Sequence, residues 1–130
     1  MSVGILIISH DGIGKALLDT ANSMIENTPL NIKHLSASRE CDPDKVLDTA
    51  RSMLKELDTG DGTLVLTDLL GSTPSNIAHR LNENENVNIV TGLNLSMLIR
   101  VFNYPNLNLA DITEKAYSGG VDGVSVTTQK

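Results

Sequence analysis

Val3-Gly4-Ile5-Leu6-Ile7-Ile8-Ser9 is a run of aliphatic and β-branched residues without polar alternation, and it breaks into His10-Asp11-Gly12-Ile13-Gly14. A short continuous apolar run that stops at a glycine-bearing turn reads as a strand buried on both faces. Strands of that kind occur where helices cover both sides of a sheet.

The rest of the chain continues the alternation. Ile13, Leu17, Ala21, Met24 and Ile25 fall on one helical face that ends before Pro29. Residues 32–35 form a short second strand. Asp42-Pro43 supplies an N-cap and a first helical residue. Val46, Leu47, Ala50, Met53, Leu54 and Leu57 then mark an amphipathic helix, with Gly60 as its stop. Residues 63–67 are a third strand. Thr73-Pro74 opens the next helix, Thr73 as cap, and Ile77, Ala78 and Leu81 carry its apolar face. After a polar, asparagine-rich loop over residues 82–88, residues 87–90 form a fourth strand. A helix from about Asn94 buries Leu95, Leu98, Ile99 and Phe102, and another covers residues 109–117. Gly119-Gly120 is expected to stop that helix, and residues 121–127 read as a terminal strand with Val124 and Val126 in alternation. The order predicts an α/β fold, residues 1–130 as one domain, with a parallel central sheet and helices on both faces. So short a turn before the final strand leaves it either antiparallel or paired outside its own sheet.

Composition narrows the function. Ten Lys and Arg against 16 Asp and Glu give a formal charge of −6, which disfavours nucleic acid and suits a basic protein partner. Cys41 is the single cysteine, so neither an internal disulfide nor a cysteine-based metal site is expected. The opening MSVGILIISHDG has no basic n-region, and its apolar run over residues 5–8 is far too short to span a bilayer. A soluble intracellular protein is expected.

In open α/β sheets, ligands gather at the carboxyl ends of the strands. His10 and Asp11 end the first strand, Asp68 ends the third, and Thr91, Gly92 and Asn94 follow the fourth. Gly12 and Gly14 leave the His10 ring uncrowded. Asp68 could accept a hydrogen bond from one ring nitrogen, leaving the other as a nucleophile. Gly71-Ser72-Thr73-Pro74-Ser75-Asn76 opens a helix at the same edge, where backbone N–H groups and hydroxyls suit a phosphoryl group. No metal is expected, because His10, Asp11 and Asp68 are too few to specify one. His34 and His79 read as ordinary structural histidines. Neither a Walker loop nor G-x-G-x-x-G occurs.

Three segments then carry a family resemblance. They are Ile7-Ile8-Ser9-His10-Asp11-Gly12 with Leu17-Leu18-Asp19-Thr20-Ala21, Thr67-Asp68-Leu69-Leu70-Gly71-Ser72-Thr73-Pro74-Ser75-Asn76, and Val90-Thr91-Gly92-Leu93-Asn94-Leu95-Ser96-Met97-Leu98. In order and spacing they resemble the mannose-type enzyme IIA of the bacterial phosphoenolpyruvate-dependent sugar phosphotransferase system. The resemblance implies a cytoplasmic phosphotransferase without a cofactor. His10 would take a phosphoryl group from the histidine-containing phosphocarrier protein and pass it to an enzyme IIB for sugar transport. Asp68 would orient the ring, Ser72 and Thr73 would lie beside the phosphate, and Asp11, Gly71, Gly92 and Asn94 would complete the pocket. It further implies a homodimer that exchanges the last strand, and contact with a membrane permease only through IIB. Within phosphotransfer, a subunit feeding dihydroxyacetone kinase is the neighbouring alternative. A stand-alone regulatory phosphorylation sensor or a protein-interaction module is another. A receiver domain is disfavoured, because it needs an acidic pair after strand one and a lysine ending its last strand.

Overall fold

A computed structural model of the chain describes residues 2–83 and 86–129. Among the described residues the elements are β1 (Gly4–Ser9), α1 (Ile13–Met24), β2 (Ile32–Ser36), α2 (Pro43–Leu57), β3 (Thr63–Thr67), α3 (Thr73–His79), β4 (Val87–Thr91), α4 (Leu95–Phe102) and α5 (Leu109–Asp122). The strands form one parallel sheet in the order β2-β1-β3-β4. Of the polar loop expected over residues 82–88, residues 84 and 85 lie outside the described residues, and Asn88 is already in β4.

The unalternating run in β1 has the burial expected of it: all six residues are inaccessible to solvent. Ile5 and Ile7 pack with Leu64 and Leu66 of β3 against α1, α4 and α5. Leu6 and Ile8 pack with Val65 against α2 and α3. Residues 5–8 are all apolar because each face of the strand is the floor of a separate core. β1 and β3 are the central strands, so the loops that follow them meet in the middle of the carboxyl edge. That is where His10 and Asp68 stand.

Two local expectations are corrected. The first is the buried face of α1. Ala21 is buried and Leu17 and Ile25 pack against the core as expected, but Ile13 and Met24 are exposed, and Gly14 and Leu18 are buried in their place. The close approach of α1 to β1 rotates the helix. A Cβ at Gly14 would come within 2.6 Å of Ser9 Oγ and 2.8 Å of Ile7 Cγ2. Gly14 therefore seats the helix on the strand and is not spacing for the His10 ring.

The second concerns the end of the chain. Gly119-Gly120 does not stop α5, which continues to Asp122, and residues 124–129 adopt neither helix nor strand. The expected terminal strand is therefore absent from this sheet. A glycine pair reads as a breaker because it weakens a helix, but here contact with α4 requires it. A Cβ at Gly119 would overlap Cβ of Arg100, and one at Gly120 would meet Met97 Cε at 2.8 Å. Asn94 joins the same packing: its Oδ1 accepts the Met97 N–H at 2.8 Å, and its Nδ2 donates to the Gly120 carbonyl at 3.0 Å.

Gly119→Ala should therefore destabilise the fold by about 1–3 kcal/mol, because the methyl must push α5 away from α4. Thermal unfolding checks this, with a fall in Tm of at least several degrees expected. An unchanged Tm would mean that the α4–α5 contact yields freely.

Candidate functional site

His10 is the first residue beyond β1 and Asp68 the first beyond β3. Parallel neighbours in register bring the two ends together, with Ile8 opposite Thr67. Asp68 Oδ2 accepts two hydrogen bonds from His10, from the backbone N–H at 3.0 Å and from ring Nδ1 at 2.8 Å. Asp68 Oδ1 accepts the backbone N–H of Leu69 at 2.9 Å. A carboxylate held by three donors has little rotational freedom, and it fixes the proton of His10 on Nδ1. Nε2 is left with a lone pair. The His10 side chain is 31% exposed and that of Asp68 is 10% exposed, so the imidazole is open to solvent while the carboxylate beside it is mostly covered.

The electrostatics favour that state. Burial pushes the Asp68 carboxyl up. The His10 backbone N–H, the His10 ring, the Leu69 N–H and the field of the ring together outweigh burial, and the carboxyl lies below its ordinary 3.8. Asp68 is thus an anion at neutral pH, able to accept from the ring and to stabilise positive charge that develops on it.

The neighbouring loops form a fixed frame. The carbonyl of Ser9 accepts the N–H of Ala37 at 2.9 Å, and that of Thr67 accepts the N–H of Leu93 at 3.0 Å. The loops after β2 and β4 therefore fold over the ends of β1 and β3 and occupy their last backbone acceptors. Gly92, with φ +83°, makes the second of these turns. Gly71, with φ +85°, turns the chain into α3. The cap of α3 is Ser72, one residue earlier than expected, with Thr73 and Pro74 in its first turn. The Ser72 hydroxyl donates to the Leu69 carbonyl at 2.5 Å and does not cap the helix. Asn94 has both amide atoms committed to α4 and α5, which makes it a packing residue. Asp11 contributes its backbone: φ is +27°, and its carbonyl accepts the Ser36 hydroxyl at 2.5 Å.

The expected residues thus divide. His10 and Asp68 are in direct contact. Asp11, Gly71, Ser72 and Gly92 lie in the loops of the same edge, Thr73 is the first residue of α3, and Asn94 belongs to helix packing. His34 is exposed on β2, and exposed His79 donates from Nδ1 to the Ser75 carbonyl of its own helix at 2.7 Å. Sequence reasoning missed the Ser9 and Ser36 hydroxyls and an apolar rim. Ser9 Oγ accepts the Gly14 N–H at 2.8 Å. Leu69 and Leu70 are 63% and 68% exposed, and Ile13 is 48% exposed. Two leucines directly after Asp68, outside any periodic pattern, were the visible signal of that rim. Among the described residues no group of three or more His, Cys, Asp or Glu side chains could hold a metal ion. No helix among them is long and apolar enough to cross a membrane.

Comparisons with known proteins follow the same lines. A family model described as the PTS system fructose IIA component, EIIA-man, matches residues 4–116. The mannose/sorbose-specific IIA subunit of the phosphotransferase system from Enterococcus faecalis superposes with a TM-score of 0.84 at 25% identity, covering 100% of this chain and 98% of that one. A PTS IIA protein associated with the fucose utilization operon of Streptococcus pneumoniae gives 0.73 at 29% identity, covering 91% and 93%. The transcriptional regulatory protein LevR of Bacillus subtilis is 29% identical over an alignment of 113 residues that covers 82% of this chain and 12% of LevR. The chain therefore spans only a small part of that relative's length.

The lowered carboxyl has a measurable consequence. Its folded value lies below its unfolded value, so the stability it contributes is complete above 3.8. That contribution fades as pH falls past 3.8 and is gone below the depressed folded value. Denaturant unfolding of wild type and Asp68→Asn over this acid range should converge as pH falls. A constant difference between them would remove the ionised carboxylate from the account.

Proposed function

The chain belongs to the EIIA-man family, a phosphotransferase-system IIA component, and from that premise we propose that it carries a phosphoryl group on His10 Nε2 between two proteins. The contact between His10 Nδ1 and Asp68 Oδ2 at 2.8 Å carries this reading. With Nδ1 holding its proton, the Nε2 lone pair attacks the phosphorus of a phosphohistidine on the histidine-containing phosphocarrier protein. The donor N–P bond breaks, its electron pair returns to the donor ring, and a new N–P bond forms on His10. Positive charge then gathers on the His10 ring, and the Asp68 carboxylate stabilises it through the Nδ1 proton. Reversal of the same step onto a histidine of an enzyme IIB empties the carrier. His10 supplies the covalent bond, and the rest of the site contributes positioning and charge stabilisation. The reaction as written needs no cofactor.

The surroundings suit protein partners. Ile13, Leu69 and Leu70, in the segments that follow His10 and Asp68, are exposed apolar side chains, and a charge of −6 favours a basic partner over nucleic acid. Ser72 and Thr73, at the start of α3, are the groups proposed to lie beside the phosphoryl oxygens, with Gly71 and Gly92 shaping the pocket. The protein would act in the cytoplasm and reach a sugar permease only through IIB. A homodimer is part of this reading. Val124 and Val126 are 74% and 84% exposed, and among the described residues β4 is hydrogen-bonded on one side only. Exchange of residues 124–129 onto β4 of a second copy would cover both.

A second reading has one observation behind it, the 29% identity to LevR, a transcriptional regulatory protein. In that reading the phosphorylation state of His10 is itself the signal, and no IIB is required.

Incubation with phosphoenolpyruvate, enzyme I and the phosphocarrier protein, followed by intact mass, should add one acid-labile phosphate. His10→Ala should take none, and Asp68→Ala should be slower by roughly ten- to a hundredfold. Phosphate retained by the alanine variant at position 10 would sink the assignment. Passage of the label to a mannose-type IIB separates transport from signalling. Light scattering tests assembly: the intact chain should be dimeric, and a chain ending at residue 123 should be monomeric.

A further inference from the structure

Ser36 ends β2, directly opposite Ser9 in the β1–β2 register. It is exposed and lies outside both cores. Its hydroxyl nevertheless makes a 2.5 Å hydrogen bond across the strand boundary to the carbonyl of Asp11, 25 residues away in sequence. Asp11 is the residue after His10, and its φ of +27° is a conformation that residues with a Cβ rarely adopt. Backbone held in that region persists only where its surroundings determine it. The other fixed points of the turn are the Ile13 N–H bonded to the His10 carbonyl at 3.1 Å and the Gly14 N–H bonded to Ser9 Oγ at 2.8 Å. The His10–Asp11 peptide is thus held through its carbonyl, which the Ser9 hydroxyl also approaches at 3.4 Å, whereas the Asp11–Gly12 peptide is held by Ser36.

We propose that Ser36 is a positioning residue for His10: its hydroxyl clamps the Asp11 carbonyl, holds the strained turn, and so sets the His10 backbone N–H and ring against Asp68. The inference rests on the phosphohistidine reading for its catalytic meaning, though the geometry of the ring can be read without it. Asp68 Oδ2 receives two bonds from one residue, at 3.0 and 2.8 Å. Both form together only if the backbone and the side chain of His10 keep a fixed relation. Asp68 receives both only while the turn keeps the His10 Cα in place, and a hydroxyl on the adjacent strand fixes that turn through the Asp11 carbonyl. Ser9 anchors the start of the turn to α1, and Ser36 anchors its crest to β2. The edge strand β2 thereby acts on a nucleophile carried by the central strand.

The test uses the full chain as wild type, Ser36→Ala and Ser36→Thr. Phosphoryl transfer from phosphorylated histidine-containing phosphocarrier protein should slow about three- to thirtyfold in Ser36→Ala and recover in Ser36→Thr, which keeps the hydroxyl. Nitrogen-15 spectra of the His10 ring should show the Nδ1–H tautomer in wild type and in Ser36→Thr. Ser36→Ala should show mixed tautomers and faster loss of the Nδ1 proton. A change in overall stability alone would not move those signals, because the substitution is at the surface. Wild-type rates together with a wild-type ring spectrum in Ser36→Ala overturn the proposal. So does a slower rate with an unchanged spectrum, since the hydroxyl would then act on the partner protein. If wild type itself takes no phosphate, the phosphohistidine reading falls, and the ring spectrum still decides whether Ser36 sets the geometry of His10.

Discussion

The carboxylate of Asp68 holds His10 by two points, backbone and ring, and the arrangement of the carboxyl edge depends on that grip. A histidine at the end of a strand has two ring nitrogens of similar basicity and a side chain free to rotate. One acceptor that takes both the main-chain and the ring proton removes both freedoms. It can do so only because β1 and β3 are parallel neighbours of matched register, so that residues 58 apart in the chain leave the sheet side by side. The two cores above and below the sheet hold that register. Slipping either strand by one residue would exchange the side chains of one core for those of the other.

The polar work at this edge is divided between strands and loops. The last carbonyls of β1 and β3 are occupied by N–H groups from the loops after β2 and β4. Hydroxyls from Ser9, Ser36 and Ser72 take further backbone groups in the same region. Few groups here can shift when a partner arrives. A centre that receives and releases a group between proteins gains from this, since each partner meets the same geometry and little reorganisation is required.

Much of this was legible in the sequence, and what was not has identifiable causes. The fully apolar β1, the Asp42-Pro43 start of α2 and the position of His10 at a strand end all follow from local chemistry. The proximity of Asp68 could be reasoned from topology, but its double contact with His10 could not, because that depends on register. The helical face of α1 was right at Leu17, Ala21 and Ile25 and wrong at Ile13 and Met24, because an apolar count favours those two, whereas the close approach at Gly14 decides which side turns inward. Gly119-Gly120 was misread for a related reason. Intrinsic propensity marks glycine as a stop, and only the position of Arg100 on α4 shows why glycine is needed inside the helix. Ser36 left no signal at all: its bond to the Asp11 carbonyl exists only because β2 pairs with β1 in this register.

The glycine stripe on α5 also limits how sequences of this fold can drift. A helix surface facing water accepts most replacements one at a time. Positions 100 and 119 cannot vary so freely, because the side chain at one occupies the space that a methyl at the other would need. Change there must come in compensating pairs, a smaller residue on α4 before a larger one on α5. Position 94 is tied to the same pair of helices through its bond to Gly120. The α4–α5 contact thus couples the replacements that positions 94, 100, 119 and 120 can accept.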